Sequence, residues 1–137
     1  TQLQAVDISG DLIPSVIDAI PILALAACFA KGTTTIRDAA ALRVKESDRI
    51  STTVQALASL GAEIQELPDG MVIRGTGKLK GTSCKSHGDH RLAMTLGIAG
   101  LLAEGTTQVD EAQAVSISYP AFWHDLAQIT PEALEIS

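Results

Sequence analysis

The amino-acid sequence predicts an α/β (α+β) chain of repeated strand–helix layers, with buried helices packed against mixed sheets. A ten-residue string recurs, AKGTTTIRDA at 30–39 and AEGTTQVDEA at 103–112, with Gly32 and Gly105 separated by 73 positions and seven of ten positions identical or nearly so. Each copy follows an apolar stretch, ILALAACF or LGIAGLLA, so the repeating unit is helix, glycine, strand. Those stretches are apolar on nearly every face, which suits helices enclosed between layers rather than laid on a surface.

The elements follow in order. The segment Leu12 to Ala19 is bracketed by Pro14 and Pro21 and is expected to be loop or partial turn. Pro21 fits the first turn of a helix, where its missing N–H is no loss, and Ile22 to Ala30 continues that helix until Gly32 ends it. Thr33 to Arg37 is rich in β-branched residues and is expected to be a strand. From Glu46 onward Ile50, Val54, Leu57 and Leu60 recur at helical spacing, giving one core face and one wet face before Gly61. Pro68-Asp69-Gly70 separates two short strands, Glu63 to Leu67 and Met71 to Gly75, and signals a hairpin. The second unit opens with a loop or edge strand around Ser83 to His87, enters a helix near Arg91, closes at Gly105 and ends in a strand from Thr106 to Glu111. The tail from Thr130 carries little signal.

Length and composition bound the function. A chain of 137 residues with 46% apolar content can bury a continuous core. Every apolar run of eighteen residues is broken by a charge or proline, and the start lacks a basic leader and an initiator methionine, so a soluble piece of something longer is expected. Cys28 sits in an apolar run and Cys84 in what reads as a polar loop, and their spacing suggests neither a disulfide framework nor a metal site, which implies a reduced, cytoplasmic setting. A net charge of −6 argues against nucleic acid and acidic membranes as partners. An anionic ligand must then be held by a local cluster of cations.

Three places carry charge that the fold alone does not require. Arg43-Val44-Lys45-Glu46-Ser47-Asp48-Arg49 opens the amphipathic helix, where the helix dipole disfavours Lys45 and Arg49. The bland reading is a solvated face on which Glu46 and Asp48 offset them. Gly88-Asp89-His90-Arg91 precedes an apolar helix, and free N–H groups beside a glycine and an arginine make an anion site. Its alternative is an Asp89 N-cap with His90 and Arg91 exposed. Asp18 stands in apolar surroundings three residues before Pro21, either as a cap or as a site acid, and the 73-residue offset carries Asp18 onto Arg91. Equivalent positions in successive layers point to the same end of the array, which favours a shared site.

The strings LRVKESDRI at 42–50, GDHRLAM at 88–94, FAKGTTTIRDA at 29–39 and SYPAFWHDL at 118–126 resemble, in order and spacing, the C-terminal motifs of 5-enolpyruvylshikimate 3-phosphate synthases. The resemblance covers about Asp7 to Ile129. It implies the enolpyruvyl transferase (inverse α/β barrel) fold, in which each of two domains holds three layers and the site lies in the cleft between them. Residues 1–137 would then form part of one domain, about two layers at roughly 7–78 and 79–129, with the N-terminal domain absent and the fragment inactive alone. The implied reaction moves the enolpyruvyl group of phosphoenolpyruvate to shikimate 3-phosphate, and it needs neither metal nor organic cofactor.

Addition of an alcohol to phosphoenolpyruvate requires a base, an acid for the methylene carbon, and cations for phosphate and carboxylate. The resemblance assigns Asp18 as the base, Glu46 as the group handling the proton at carbon, Lys45 to shikimate 3-phosphate, and Arg49 and Arg91 to phosphoenolpyruvate. It leaves His90 open between supporting proton transfer and positioning Arg91, and it makes Asp48 the residue that orients Arg49. Two positions depart from the family pattern: Ile117 stands where many members have lysine, with no lysine after Lys85, and Ala41 stands where many have asparagine. Both bear on ligand affinity and on glyphosate sensitivity. The alternatives are the related transferase that acts on UDP-N-acetylglucosamine, and a non-catalytic binding module of the same fold.

Overall fold

A computed structural model describes residues 4–45, 47–110 and 121–129. The elements run β1 (Asp7–Ile8), a helical lead-in, α2 (Ile20–Phe29), β2 (Thr33–Ile36), a 3₁₀ turn (Ala40–Val44), α3 (Arg49–Ser59), β3 (Glu63–Leu67) and β4 (Gly70–Arg74). They continue through β5 (Ser83–Lys85), α4 (His90–Leu102), β6 (Gln108–Asp110) and α5 (Phe122–Ile129). The lead-in contains a 3₁₀ turn (Gly10–Leu12), a single α-turn α1 (Ile13–Val16) and a second 3₁₀ turn (Ile17–Ala19).

Leu12 to Ala19 is therefore helical rather than loop. Pro14 lies in the first turn of α1 and Pro21 in the first turn of α2, positions where an amide hydrogen has no helical acceptor. The two prolines start turns instead of breaking them. The whole run Gly10–Phe29 is long and apolar enough to cross a membrane by length and composition. It nevertheless carries Asp11 and Asp18, and it buries Ile13, Ile20, Ala24, Leu25, Ala27 and Cys28 in the protein core. In this fold it is a core helix.

The described strands form two sheets, one of four strands in the order β1-β2-β4-β3 and one of two, β5-β6. β1 and β2 are parallel, as are β5 and β6, while β2/β4 and β3/β4 are antiparallel. Mixed sheets packed against buried helices agree with the predicted class. α2, α3 and α4 pack against one another, α2 and α3 against β4, and α4 against β6. Their shared core includes Leu25, Leu57, Met71, Ile73 and Leu96, none more than 1% exposed.

The sequence repeat is a repeat of structure. β1–α2–β2 and β5–α4–β6 are both strand–helix–strand units with parallel pairing, Thr35 opposite Asp7 in one and Gln108 opposite Ser83 in the other. In both units the chain leaves the helix in extended conformation, at Ala30 and Ala103, and then passes through a glycine with positive φ, Gly32 at 106° and Gly105 at 86°. The glycines thus turn the chain into the next strand rather than capping the helix directly. Cys84, expected in a polar loop, lies instead on the buried face of β5 at 2% exposure. α5 had no counterpart in the sequence reading; its Phe122 packs on Ala93, Met94 and Ile98 of α4 and on Leu126.

Candidate active site

The charged residues singled out by sequence converge where the start of α3 meets the start of α4. Arg49 is the first residue of α3 and is only 1% exposed. A cation at a helix N-terminus is opposed by the dipole, so burying it there requires a strong counter-charge. Asp89 supplies that counter-charge from 40 positions away in the chain: Arg49 Nε donates to Asp89 Oδ2 at 2.7 Å and Nη2 to Oδ1 at 3.2 Å. The third nitrogen, Nη1, donates to Asp18 Oδ1 at 3.0 Å.

Asp89 does more than pair. It is the N-cap of α4, its Oδ1 accepting from the backbone N–H of Arg91 at 2.9 Å and of Leu92 at 3.4 Å, while Ser47 Oγ donates to its Oδ2 at 2.8 Å. Burial alone would push the Asp89 carboxyl up. The hydrogen bonds from Arg49 and Ser47, the Arg49 charge and the Leu92 N–H more than reverse this and hold it below its ordinary value. One fully buried carboxylate thus fastens the α3 cation to the helix that bears His90 and Arg91.

Asp18 lies just before α2, with its side chain half-exposed, and makes no capping hydrogen bond; its Oδ1 faces Arg49 and also Lys45 Nζ at 3.8 Å. Asp18 therefore does not cap the helix; it is a carboxylate held between two cations. Arg91 is partly buried, and its side chain has no hydrogen bond or ion pair among the described residues. His90 is 9% exposed, with Nδ1 buried and unpartnered among the described residues. Two left-handed residues, His87 at φ 56° and Gly88 at φ 70°, turn the chain into this helix start.

Asp48 does not orient Arg49. Its Oδ1 caps α3 by accepting from Ser51 N–H at 3.2 Å, and its Oδ2 pairs with Arg43 at 2.9 Å. Asp48 thus spans from the first turn of α3 to Arg43, whereas Arg49 is buried and bonds Asp89 and Asp18. Glu46 and Ile117 lie outside the described residues. Ala41 is exposed in the 3₁₀ turn before the site. Of the residues the sequence singled out, the structure pairs Asp18 with Lys45 and Arg49 and sets His90 and Arg91 at the α4 start that Asp89 caps; the Asp89–Arg49 pair and the contacts of Ser47 and Arg43 were not anticipated. An arginine at a helix start, where the dipole opposes it, was the available signal in the sequence that a counter-charge was needed.

An acid flanked by two cations, beside a helix start that bears a third, has the make-up of a place where a small anion can be held. The layered fold carrying it is that of the enolpyruvyl transferases. The enolpyruvyl transferase NikO from Streptomyces tendae superposes with a TM-score of 0.78 at 22% identity, covering 95% of this chain and 29% of that one. A solved EPSP synthase from Acinetobacter baumannii superposes with a TM-score of 0.88 at 36% identity, over 93% of this chain and 30% of its own. The profile of the EPSP synthase (3-phosphoshikimate 1-carboxyvinyltransferase) family matches residues 2–126, and the chain belongs to that family. Among similar proteins, the 3-phosphoshikimate 1-carboxyvinyltransferase of Herpetosiphon aurantiacus is 54% identical over 127 residues, 93% of this chain and 30% of the relative. That of Bacillus cereus is 51% identical over 130 residues, 95% and 30% respectively. The chain therefore spans about 30% of the length of the relatives it matches.

Proposed function

We propose that this segment contributes one wall of the active site of a 3-phosphoshikimate 1-carboxyvinyltransferase, which transfers the enolpyruvyl group of phosphoenolpyruvate to shikimate 3-phosphate and releases phosphate, a step toward chorismate and the aromatic amino acids. The observation that carries the reading is the convergence of Asp18, Lys45 and Arg49 on one carboxylate oxygen, beside the Asp89-capped start of α4.

Asp18 takes the proton of the attacking hydroxyl as its oxygen bonds to the substituted carbon of phosphoenolpyruvate, and Glu46 gives a proton to the methylene carbon, turning it into a methyl group. In the second half the methyl group returns a proton to Glu46, the double bond re-forms, and the carbon–oxygen bond to phosphate breaks, the leaving phosphate taking the proton held on Asp18. Lys45, Arg49 and Arg91 hold the anionic groups and offset the charge that accumulates on the leaving phosphate. Arg49 is buried with its charge already shared between Asp89 and Asp18, so a bound anion competes with Asp18 for Nη1 and frees the acid to act as base. Arg91, with no side-chain partner among the described residues, meets the anion without first breaking a bond.

On this proposal the two strand–helix–strand units stand for about two of three layers in one domain, and the opposite wall of the cleft comes from the part of the relatives' length that this chain does not span. The 137-residue chain alone is accordingly proposed to be inactive, and measurable turnover by it would overturn that statement. A cytoplasmic location is proposed from the two unpaired cysteines, both buried in the fold. The deciding experiment measures phosphate release from phosphoenolpyruvate by the full-length protein, with shikimate 3-phosphate or UDP-N-acetylglucosamine as acceptor. Release with the first acceptor alone, abolished in Asp18→Asn and Glu46→Gln, is expected. Release with the nucleotide sugar would favour the related transferase, and no release with either acceptor would leave a binding module.

A further inference from the structure

We propose that Arg43 is a positioning residue for this site, a staple that fixes where Lys45 is presented to it; the proposal rests on the function given above. Arg43 lies one residue before the end of the 3₁₀ turn, and its side chain has no hydrogen bond to Asp18, Arg49 or Asp89 among the described residues. Its guanidinium instead makes four hydrogen bonds, each of 2.9 Å: Nε to the carbonyl of Pro68, Nη1 to Asp48 Oδ2, and Nη2 to Glu66 Oε2 and the carbonyl of Leu67. Three separate pieces of backbone meet there, namely the 3₁₀ turn, the β3–β4 hairpin and the N-cap of α3.

The consequence for the site lies in the segment between Arg43 and Asp48. Apolar packing does not hold it, since Val44 is 84% exposed. Its backbone tie back to the 3₁₀ turn, from Lys45 N to Leu42 O, is long at 3.5 Å. The Arg43–Asp48 pair ties the end of the 3₁₀ turn to the residue that caps α3. Beside that pair Lys45 reaches Asp18, while Ser47 is held separately by Thr52 and Asp89. Both carboxylate partners of Arg43 are partly exposed, so the ion pairs add little stability in themselves. The planar fork, however, sets directions that a lysine ammonium cannot reproduce at four acceptors. Misplacing reacting groups by about 1 Å costs up to roughly a hundredfold in rate, so geometry is where this residue acts.

The test uses the full-length protein with wild type, Arg43→Gln, Arg43→Lys, Lys45→Ala and the double variant Arg43→Gln/Lys45→Ala. Turnover is measured well below each melting temperature, and backbone hydrogen exchange is followed over residues 43–52. Arg43→Gln is expected to lower kcat by about ten- to a hundredfold, with exchange raised in that segment and unchanged in α4. Arg43→Lys should recover only a minor part. In the Lys45→Ala background the same glutamine change should cost under threefold, because the group being positioned is already gone. A kcat of Arg43→Gln within twofold of wild type, or full additivity with Lys45→Ala, would overturn the proposal. Should wild type itself release no phosphate, the transferase reading fails; unaltered exchange over 43–52 in Arg43→Gln would then overturn the staple separately.

Discussion

Replacing Asp89 with alanine should be among the most damaging single changes in this chain, and the structure sets the size of the effect. The substitution removes two hydrogen bonds to Arg49, one from Ser47 and the N-cap of α4, and it leaves a guanidinium that is 1% exposed with the half-exposed Asp18 as its remaining carboxylate partner among the described residues. Breaking a buried pair from one side costs about 3–5 kcal/mol, and a lost cap about 1 kcal/mol. With Asp18 still in place the lower end applies, about 4 kcal/mol. That is a large fraction of the roughly 5–15 kcal/mol by which a domain is stable. Asp89→Asn keeps the shape and the cap but replaces charge-assisted bonds with neutral ones, and should cost about 2 kcal/mol.

Urea denaturation followed by far-ultraviolet circular dichroism reads these values. With a slope of about 1–3 kcal/mol per molar for a protein of this size, alanine should lower the midpoint by about 1.3 M or more. The pH dependence carries a definite sign. The folded-state pKa of Asp89 is lowered, so its contribution is complete above the unfolded value, near 3.8, and is lost as pH falls through the still lower folded value. The gap between wild type and Asp89→Asn should therefore stay constant from about pH 7 to pH 5 and close below the ordinary carboxylate range. A double-mutant cycle with Arg49→Met should show a coupling of about 2 kcal/mol. Asp89 variants within about 0.5 kcal/mol of wild type, or a gap that does not close in acid, would refute the argument that this carboxylate compensates the buried arginine.

Three further outcomes are expected. Arg91→Ala should leave the urea midpoint unchanged within about 0.5 kcal/mol, since its side chain has no partner to lose among the described residues, yet should weaken phosphoenolpyruvate binding by the full-length protein in calorimetry. Gly75→Ala should cost about 1–3 kcal/mol in thermal melts, because a Cβ there would run into the carbonyl oxygen of Ala30, which is backbone and cannot swing aside. Cys28 and Cys84 should resist Ellman's reagent at pH 8 until the chain is unfolded, both being buried and burial pushing the Cys28 thiol up to about 11; labelling of native protein within minutes would contradict their placement.

The sequence carried much of what depends on near neighbours. The 73-residue repeat named two helix–glycine–strand units, and the structure completes each with a preceding parallel strand; each unit buries its own helix and so repeats the same apolar pattern. The hairpin at Pro68-Asp69-Gly70 and the helix over Ile50 to Leu57 followed from turn chemistry and 3.6-residue spacing. The lead-in Gly10–Ala19 was read wrongly since a proline in a first turn and a proline in a loop look alike until the following helix is seen. Docking of α3 against α4 decided the rest. Arg49 finds Asp89 rather than Asp48, one residue away, because a side chain at a helix start is aimed by the helix axis and not by its sequence neighbours. Which carboxylate stands at the end of that direction depends on how two helices cross. No local pattern encodes that crossing, and it joined Asp18, Lys45, Arg49 and the Asp89-capped start of α4 into one site.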